Sequence, residues 1–394
     1  MGKVIITKLK NRILLGLYEG RKPWMFETAA FPEEEGLLGN IYLARVKDVV
    51  PGMKGAFLSV TGEDVVYLPF KDKQELLCAN RETSDAKELH QGDEIVVQIA
   101  GDALKTKQPT ASADFDLVGQ YCICSFFGHG IHFSKKLTKG KVDSISRFVK
   151  DVEIKGRKQY RFTIRTNVEA LEDLSPLLQE MKAFIHIFDT IRETYRHRTC
   201  YSCLYRTQPE VVRILNNLSL SSYDEVVTDI DEIHDLLAEF SFPKPVRLYH
   251  DEQLSLSKLY SIETHLQEAL SKRVWLPCGG YLIIEPTEAM VVIDVNSGKA
   301  ESRGKKSGDY ALHINLEAAR EVARQLRLRN YSGMIMVDFI NMESEEDKRI
   351  LLKKLDEWLQ EDKVRTRLVD MTALGIVEIT RKKGSKPLSD FIHP

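Results

Sequence analysis

Apolar and polar residues alternate along the first quarter of the chain with a period of two, which is the pattern of half-buried strands. Residues 1–37 contain two such runs, KVIITKL and RILLGLYEG. Residues 38–104 contain more, with glycine or charged residues at the turns between them: LGNIYLARVKDVV, KGAFLSVTG, EDVVYLPF and GDEIVVQIAG. Short strands at this spacing predict an all-β region, and a five-stranded barrel is the most economical way to close it.

The patterns change after the predicted barrel. Residues 105–170 are polar and basic and contain the strand-like pieces GQYCICSFF and YRFTIRT. Residues 171–240 carry apolar residues at helical spacing, and residues 255–272 predict a further amphipathic helix. The last third alternates strands and helices, which predicts an α/β unit. Its strands are CGGYLIIE, MVVIDV and GMIMVDFI, and its helices are NLEAAREVARQLRLR and DKRILLKKLDEWLQED.

Length and composition are those of an ordinary globular protein. The 394 residues correspond to about two to four domains. A formal net charge of −2 excludes a global basic field, so any surface for nucleic acid is local. Residues 133–168 carry eleven Lys or Arg against three Asp or Glu. We expect no membrane span, because no apolar run of spanning length occurs. We expect a cytoplasmic protein, because six cysteines in this length do not form a disulfide framework.

Two aspartates end apolar strands of the predicted α/β unit. Asp294 ends the run VVI of a strand that reads as fully buried, and Asp338 ends the similar run IMV. A helix lies between them, and a strand–helix–strand segment of this size usually forms a parallel pair. Ligand sites lie at the carboxyl ends of such strands, so we expect the two acids to converge. Asn296 points to the same face as Asp294, and its amide could hold that carboxylate in one rotamer.

The chemistry of such a pair favours a metal ion. Two neighbouring carboxylates repel each other, and one takes up a proton unless a cation lies between them. A site with few oxygen ligands and retained waters suits Mg²⁺. The following segment, GKAESRGKKSG, adds cations beside the acids, and that combination suits a phosphodiester. The alternative is that both aspartates are caps or salt-bridge partners at strand ends.

Longer stretches around these residues resemble a known family. IDVNSGKA and NLEAAREVARQLRLRNYSGMIMVDFINM resemble the catalytic core of the ribonuclease E/G endoribonucleases. LSLSKLYSIETHLQEALSKRVWLPCGGYLIIEPTEAMVVID resembles the run that leads into that core, and GNIYLARVKDVVPGMKGAFLSVTG resembles the family's OB-type RNA-binding barrel. The resemblance extends from the N-terminal strands to GIVEITRKK and is of the ribonuclease G-like type, in a minimal form.

The resemblance implies a multidomain α/β fold. A DNase I-like catalytic subdomain is expected beside an RNase H-like subdomain, which is interrupted by an OB-fold β-barrel and a 5′-sensor region. The expected divisions are residues 1–37 and 201–265 for the RNase H-like subdomain, 38–104 for the barrel, 105–200 for the 5′-sensor region and 266–394 for the DNase I-like subdomain.

The resemblance also implies a reaction and the residues that perform it. Asp294 and Asp338 match the family's metal-binding acids, and Asn296 matches the residue that orients the first acid. The implied reaction is hydrolysis of single-stranded RNA by metal-activated water, with Mg²⁺ as the cofactor and no nucleotide cofactor. The cations assigned to RNA in the following segment are Lys299, Arg303 and Lys305.

Two further sites follow from the resemblance. Phe57 and Tyr67 match positions of the barrel that hold an RNA base by stacking, although Phe57 could instead belong to the barrel core. Arg165 and Thr166 match the pair that grips a terminal 5′-monophosphate, although Arg165 could be a surface cation. The family places a glycine-containing loop opposite this pair. The stretch KTKQPTAS has Gln108 where a glycine is expected, which predicts weak discrimination at the 5′ end.

The cysteines bear on assembly. The family commonly binds Zn²⁺ between two chains through a cysteine pair after the catalytic subdomain. The sequence ends before such a pair and before a small C-terminal domain, so we expect no zinc-linked dimer and leave the oligomeric state open. The single C-x-x-C, formed by Cys200 and Cys203, is interpreted as accidental spacing or core packing, with zinc binding and redox chemistry as alternatives.

These observations favour an Mg²⁺-dependent endoribonuclease that acts on single-stranded RNA. The rival interpretation is a non-catalytic RNA-binding or ribosome-associated protein, which would keep the barrel and lose the acids.

Overall fold

The chain forms two compact units. A computed structural model describes residues 2–71, 74–82, 88–101, 108–151, 156–298, 307–382 and 386–392. The first unit, which we call the α/β unit, combines Met1–Phe31 with Ser222–Pro394, and the second, the barrel unit, is Pro32–Ser221. The fold is therefore mixed α/β, with one unit inserted into the sequence of the other.

Strands and helices are numbered in chain order. Within the described ranges the strands are β1 Gly2–Leu9, β2 Arg12–Glu19, β3 Lys22–Ala29, β4 Ile41–Val50, β5 Gly55–Ser59, β6 Val65–Pro69, β7 Glu94–Gly101, β8 Thr110–Ser112, β9 Asp116–Val118, β10 Cys122–Ser125, β11 Gly130–Phe133, β12 Arg161–Ile164, β13 Cys203–Tyr205, β14 Glu225–Thr228, β15 Val246–Leu248, β16 Arg273–Trp275, β17 Tyr281–Pro286, β18 Met290–Asn296, β19 Gly333–Asp338, β20 Thr366–Met371 and β21 Ile376–Arg381. The helices are α1 Lys139–Asp151, α2 Ser175–Thr194, α3 Glu210–Asn216, α4 Asp231–Glu239, α5 Leu256–Leu259, α6 Ile262–Leu270, α7 Ser307–Leu328, α8 Glu345–Leu359 and α9 Ser389–Ile392.

The predicted five-stranded barrel is present and closed. β4, β5, β6, β8 and β7 pair in that order, and β4 also pairs with β7. Alternate side chains such as Ala56, Leu58, Val66 and Leu68 fill its interior, which is the arrangement expected of a small closed barrel. The expected boundary at residue 104 is too early, because β8 follows it and is needed for closure.

The rest of the barrel unit is a four-stranded sheet covered by helix α2. Its strand order is β11-β12-β10-β9. The pieces GQYCICSFF and YRFTIRT supply β10 and β12, which pair antiparallel. Aromatic rings hold the sheet to α2, since Phe188 of this helix lies 5.2 Å from Phe126 and 5.3 Å from Tyr160, measured between ring centroids. The basic segment also contains helix α1, which the sequence patterns did not indicate.

The α/β unit contains a sheet built from the N-terminal strands and from two strands of the middle of the chain. Its order is β15-β14-β1-β2-β3, with β1 and β14 parallel. Residues 1–37 thus form three strands, and the expectation of two was wrong, because KPWMFETA adds β3. The predicted helix over residues 255–272 is broken into α5 and α6. Ser261 between them has a φ of 50°, which no helical residue adopts.

A second sheet of the α/β unit carries the aspartates. Its order is β16-β17-β18-β19-β21-β20. β18 and β19 are parallel, and helix α7 lies between them in sequence. One face packs against α7 and α8 through residues such as Ile293, Val295 and Val337, all of which are buried. The opposite face, which we call the open face, has half-buried or exposed side chains. The interpretation of VVID as fully buried was therefore wrong, since only one face of β18 is covered.

Within the described ranges, no helix combines the length and the apolar character that crossing a bilayer requires.

A buried ion pair ties α7 to the first sheet. Glu321 accepts hydrogen bonds of 2.9 and 3.0 Å from Arg324 Nε, and Arg324 Nη1 donates to the carbonyl of Pro23 at 2.8 Å. Burial raises the pKa of Glu321, but the hydrogen bonds and charge of Arg324, together with Gln325 and Lys22, outweigh it, so the pKa lies below its ordinary value. The contribution of this pair to the free energy of unfolding is therefore fully present above the ordinary carboxyl pKa. It is lost as the pH falls through the lowered pKa of Glu321.

We predict that Glu321→Leu lowers the free energy of unfolding at pH 7 by about 3 kcal/mol, because it leaves the buried guanidinium of Arg324 without its carboxylate. Urea unfolding followed by tryptophan fluorescence measures this. The difference from wild type should narrow below about pH 4. Glu346→Gln, in the exposed pair with Arg349, is the control and should change stability by less than about 0.5 kcal/mol. Equal stability of both variants would contradict the prediction.

Candidate active site

The two aspartates of the sequence motif lie side by side. The register of β18 and β19 places Asp294 directly opposite Asp338. Neighbouring strands lie about 4.8 Å apart, and residues paired across them project from the same face. Both side chains are exposed on the open face. The predicted parallel pairing is confirmed, and it brings the two carboxylates into one small area.

Asn296 orients the first acid. Its Nδ2 donates to Oδ2 of Asp294 at 2.6 Å. The two residues share a face because side chains alternate along a strand. Across the described part of the chain, no other hydrogen bond reaches either carboxylate. Oδ1 of Asp294 and both oxygens of Asp338 therefore remain available for a ligand.

A buried asparagine fixes the chain just beyond the second acid. Asn315 of α7 is fully buried. Its Nδ2 donates to the carbonyl of Ile340 at 2.8 Å, and its Oδ1 accepts from the amide of Ile340 at 3.0 Å. This pair of bonds anchors the segment that follows Asp338. The only sign of this anchor in the sequence is a polar residue on an otherwise apolar helical face.

The acids fit a metal ion that keeps much of its water. Among the described residues, no group of three or more His, Cys, Asp or Glu side chains could enclose a metal. Asp294 and Asp338 instead offer two exposed carboxylates in register. Mg²⁺ is commonly bound by one or two carboxylates with several waters retained. The donor set and its exposure therefore suit a hard divalent cation better than Zn²⁺, which prefers a closed set of nitrogen and sulfur ligands.

Cations lie elsewhere on the open face. A cavity of about 380 Å³ is lined by Arg365, Arg367 and Lys382 together with Met334 and Thr380. Met334 and Thr380 pair across β19 and β21, on the same face as Asp338. Three further cations expected beside the acids lie outside the described residues; they are Lys299, Arg303 and Lys305.

The two barrel aromatics form a pair outside the barrel interior. Phe57 and Tyr67 are opposite each other on β5 and β6, with ring centroids 5.5 Å apart. Neither belongs to the interior cluster, so the alternative that Phe57 is barrel core is excluded. Tyr67 donates its hydroxyl to the carbonyl of Met53 at 2.6 Å. Its ring lies over Gly55, where a Cβ would come within 2.5 Å of the ring. The pair is thus a fixed, half-buried aromatic surface.

Arg165 is held by neutral groups. Its guanidinium donates to the carbonyl of Gly119 and, at 2.8 Å, to Oδ1 of Asn217. Burial lowers the pKa of Arg165. Thr166 follows directly and is half-buried. The glycine beside Arg165 is therefore Gly119, whereas Gln108 is an exposed residue of a different segment. A glycine therefore contacts Arg165, and the weak discrimination at the 5′ end expected from Gln108 stays a prediction.

Glu180 fixes the loop that carries Gly119. Its carboxylate accepts hydrogen bonds of 2.6, 2.9 and 2.7 Å from the amides of Gln120, Tyr121 and Cys122. Burial raises the pKa of Glu180, against the opposing effect of these bonds. A Cβ on Gly119 would lie 2.2 Å from the Glu180 carboxylate. Sequence reasoning missed both residues, because a long-range contact between a glycine and a helix carboxylate leaves no local pattern.

The C-x-x-C motif packs against the barrel. The turn that contains it bonds to β4, where Tyr201 N donates to the carbonyl of Leu43 at 2.7 Å and Leu43 N to that of Ser202 at 3.0 Å. Burial raises the pKa of the Cys200 and Cys203 thiols. A raised thiol pKa opposes the thiolate that zinc and redox chemistry need. Cys200 is half-buried and Cys203 is exposed, so packing can account for Cys200 alone, and the interpretation of the motif stays a prediction.

Comparison with known proteins identifies relatives over most of the chain. Residues 116–384 match the Ribonuclease E/G family. Ribonuclease G of Escherichia coli (strain K12) is 30% identical over 362 residues, which cover 88% of this chain and 73% of that protein. Ribonuclease E of Nostoc sp. (strain PCC 7120) is 29% identical over 359 residues, covering 88% of this chain. Ribonuclease E of Synechocystis sp. (strain PCC 6803) is 29% identical over 363 residues, covering 90%.

The chain belongs to the ribonuclease E/G family. It spans about half the length of the two cyanobacterial ribonuclease E proteins, 51% and 53% respectively.

We predict that Gly119→Ala increases hydrogen exchange of the amides of Gln120, Tyr121 and Cys122, because the new methyl group displaces the carboxylate to which they donate. Loss of one such charged hydrogen bond costs roughly 1.5–3 kcal/mol, so exchange should accelerate by at least about tenfold. Mass spectrometry of a peptide that covers the loop measures this. Gly140→Ala in α1, where a Cβ meets no atom within 4 Å, is the control. Unchanged exchange in Gly119→Ala would refute the role of Glu180.

Proposed function

We propose that this chain is an endoribonuclease that hydrolyses single-stranded RNA at Asp294 and Asp338, with Mg²⁺ as its cofactor. The observation that carries the proposal is the parallel register that sets these two acids side by side on an open face. Membership of the ribonuclease E/G family supports it. A flat, exposed site suits a polymer, which cannot enter an enclosed cavity.

Each residue of the acid group has a separate task in this proposal. Asp294 and Asp338 would hold Mg²⁺, which supplies Lewis-acid stabilisation of a phosphoryl oxygen and a more acidic bound water. Asn296 keeps Asp294 in one rotamer through its 2.6 Å hydrogen bond. Without the cation, the exposed carboxylate oxygens repel an RNA phosphate. The two acids would therefore bind the substrate only when the cation is bound.

The other sites would bind and select the RNA. Phe57 and Tyr67 would stack on a base, an interaction that tolerates many sequences. Lys299, Arg303 and Lys305 would neutralise phosphates. Arg165 and Thr166 would bind a 5′-terminal monophosphate, since a guanidinium with unused donors and a neighbouring hydroxyl suit such a group.

The subdomain assignments are part of the same proposal. The sheet that carries the acids, with α7 and α8, would be the DNase I-like catalytic subdomain. The sheet β15-β14-β1-β2-β3 would be the RNase H-like subdomain, and the barrel an OB-fold. We place the enzyme in the cytoplasm, and this is consistent with six cysteines that are all free thiols.

We predict that Asp294→Asn and Asp338→Asn each slow cleavage by about a hundredfold or more, because each removes a negative ligand of the metal ion. RNA affinity should stay nearly unchanged, because neither acid binds RNA on its own. Cleavage of 5′-labelled single-stranded RNA and binding by fluorescence anisotropy measure the two effects. Asp370→Asn, the same change at an exposed position of β20, is the control. Near-normal cleavage by either acid variant would refute the proposed site. RNA binding without cleavage by wild type would favour a non-catalytic RNA-binding protein.

We predict that Asn296→Ala weakens Mg²⁺ binding by about 10–100-fold, because a residue that orients a metal ligand contributes that much to affinity. Isothermal titration of the protein with Mg²⁺ measures binding without reference to activity. In parallel, the Mg²⁺ concentration that half-restores cleavage after chelation should rise by the same factor. An unchanged affinity together with an unchanged half-restoring concentration would show that Asn296 does not support the metal site.

A further inference from the structure

The edge of the open face carries an exposed aromatic and cationic cluster. Trp275 of β16 and Tyr281 of β17 lie opposite each other, with ring centroids 5.3 Å apart in an edge-to-face arrangement. The guanidinium of Arg273 lies 4.7 Å from the Tyr281 ring centroid and 5.7 Å from that of Trp275. We call these three residues the aromatic platform.

The platform lies on the same face of the sheet as the acids, and its residues pair in register with the strand that carries Asp294. Tyr281 is paired with Asn296, and Trp275 is paired with Tyr281, so the three side chains form one row across the sheet. The neighbouring row runs from Arg273 through Ile283 to Asp294. β16 lies two strand spacings, or about 10 Å, from β18. The platform therefore lies beside the acid pair, on the same surface.

None of these side chains belongs to the apolar core of the sheet. Trp275 is 64% exposed, whereas Val274, the next residue on the strand, packs against the core on the other face. Among the described residues, Arg273 forms no ion pair, and its guanidinium lies against the two rings instead. The exposed indole ring and the cation beside it are therefore accessible to a ligand.

We propose that the aromatic platform stacks on a nucleobase of the RNA strand that flanks the scissile bond, while Arg273 binds a phosphate of the same strand. This inference rests on the proposed function. Exposed aromatic rings beside a cation that forms no ion pair are a combination that binds single-stranded nucleic acid. At about 10 Å from β18, the stacked base belongs to a nucleotide near the scissile bond and not to the cleaved linkage itself.

The surroundings of the platform favour RNA over a protein partner. The open face around it is polar: Lys272 and Glu285 form an ion pair, and Asp294 and Asn296 lie on the other side. A stable protein interface buries about 800 Å² on each partner, with a mostly apolar centre. Three side chains within a charged surface do not provide that area. A single base can stack on the face of one aromatic ring and needs no larger apolar surface.

The test combines substitutions in the protein with abasic sites in the RNA. One single-stranded RNA of defined cleavage position is prepared unmodified and with one abasic nucleotide at each position around the scissile bond. Wild type, Trp275→Ala, Trp275→Phe and the control Leu374→Ala are compared. Leu374 is 86% exposed and lies outside the platform. The value of kcat/KM is measured for each combination, and binding is measured in the Asp294→Asn background.

We expect Trp275→Ala to weaken binding by at least about fivefold, and Trp275→Phe to restore most of the loss. In wild type, an abasic nucleotide at one position should cause a similar loss. In Trp275→Ala, the same abasic nucleotide should weaken binding little further. Both changes remove the same interaction, so their effects are not additive. Leu374→Ala should match wild type at every position.

Other results would overturn the inference, and they can be told apart from a failure of the proposed function. One such result is that wild type cleaves while each abasic nucleotide causes the same loss in Trp275→Ala as in wild type. In that case the enzyme is a nuclease, but the platform does not stack on RNA. If wild type does not cleave, the proposed function fails. Fluorescence then tests RNA binding at the platform separately. Quenching of tryptophan fluorescence by RNA in wild type but not in Trp275→Phe would show that the platform still binds RNA. A change in oligomeric state in Trp275→Ala, measured by light scattering, would show a contact between copies instead.

Discussion

The register between β18 and β19 is the constraint on which the rest of the site depends. It pairs Asp294 with Asp338 and, on the other face, buries Ile293 and Val337 against the helices. A slip of one residue would move every side chain of a strand to the opposite face. The acids would then enter the apolar core, where a carboxylate costs several kcal/mol. Core packing therefore fixes the position of the acids, and a sequence that folds this sheet correctly also assembles the pair.

The open face explains how such a sheet can serve a polymer. Parallel strands are usually covered on both sides, and here only the face toward α7 and α8 is covered. The uncovered face keeps Val292 and Met334 more than one third exposed, at some cost in solvation. In return, acids, cations and aromatic rings lie on one continuous surface, from Arg367 on β20 to Trp275 on β16. A chain of nucleotides can cross such a surface at several points, which an enclosed pocket would not allow.

The elements with strong local patterns could be predicted from the sequence, and those that depend on distant partners could not. The apolar runs that end in Asp294 and Asp338 predict two strands and a helix between them, and this is enough to bring the acids together. β8 has only the residues Thr110–Ser112, too few for a period to be visible, although it closes the barrel. Gly119 and Glu180 are far apart in sequence, so their contact is visible only in the folded chain. The exposure of Trp275 is likewise visible only in the folded chain, because exposure cannot be read from a single strand residue.

Two sites of the chain use the same electrostatic arrangement. In each, a charged side chain that is proposed to meet a ligand is oriented by neutral groups. The amide of Asn296 donates to one oxygen of Asp294, and the carbonyl of Gly119 and the amide oxygen of Asn217 accept from Arg165. A neutral partner fixes the rotamer and leaves the full charge for the ligand, whereas an ion pair would neutralise it. Arg165 keeps donors unused, because a guanidinium has five N–H groups. Buried hydrogen bonds support the backbone beside each site, those of Asn315 next to Asp338 and those of Glu180 next to Gly119.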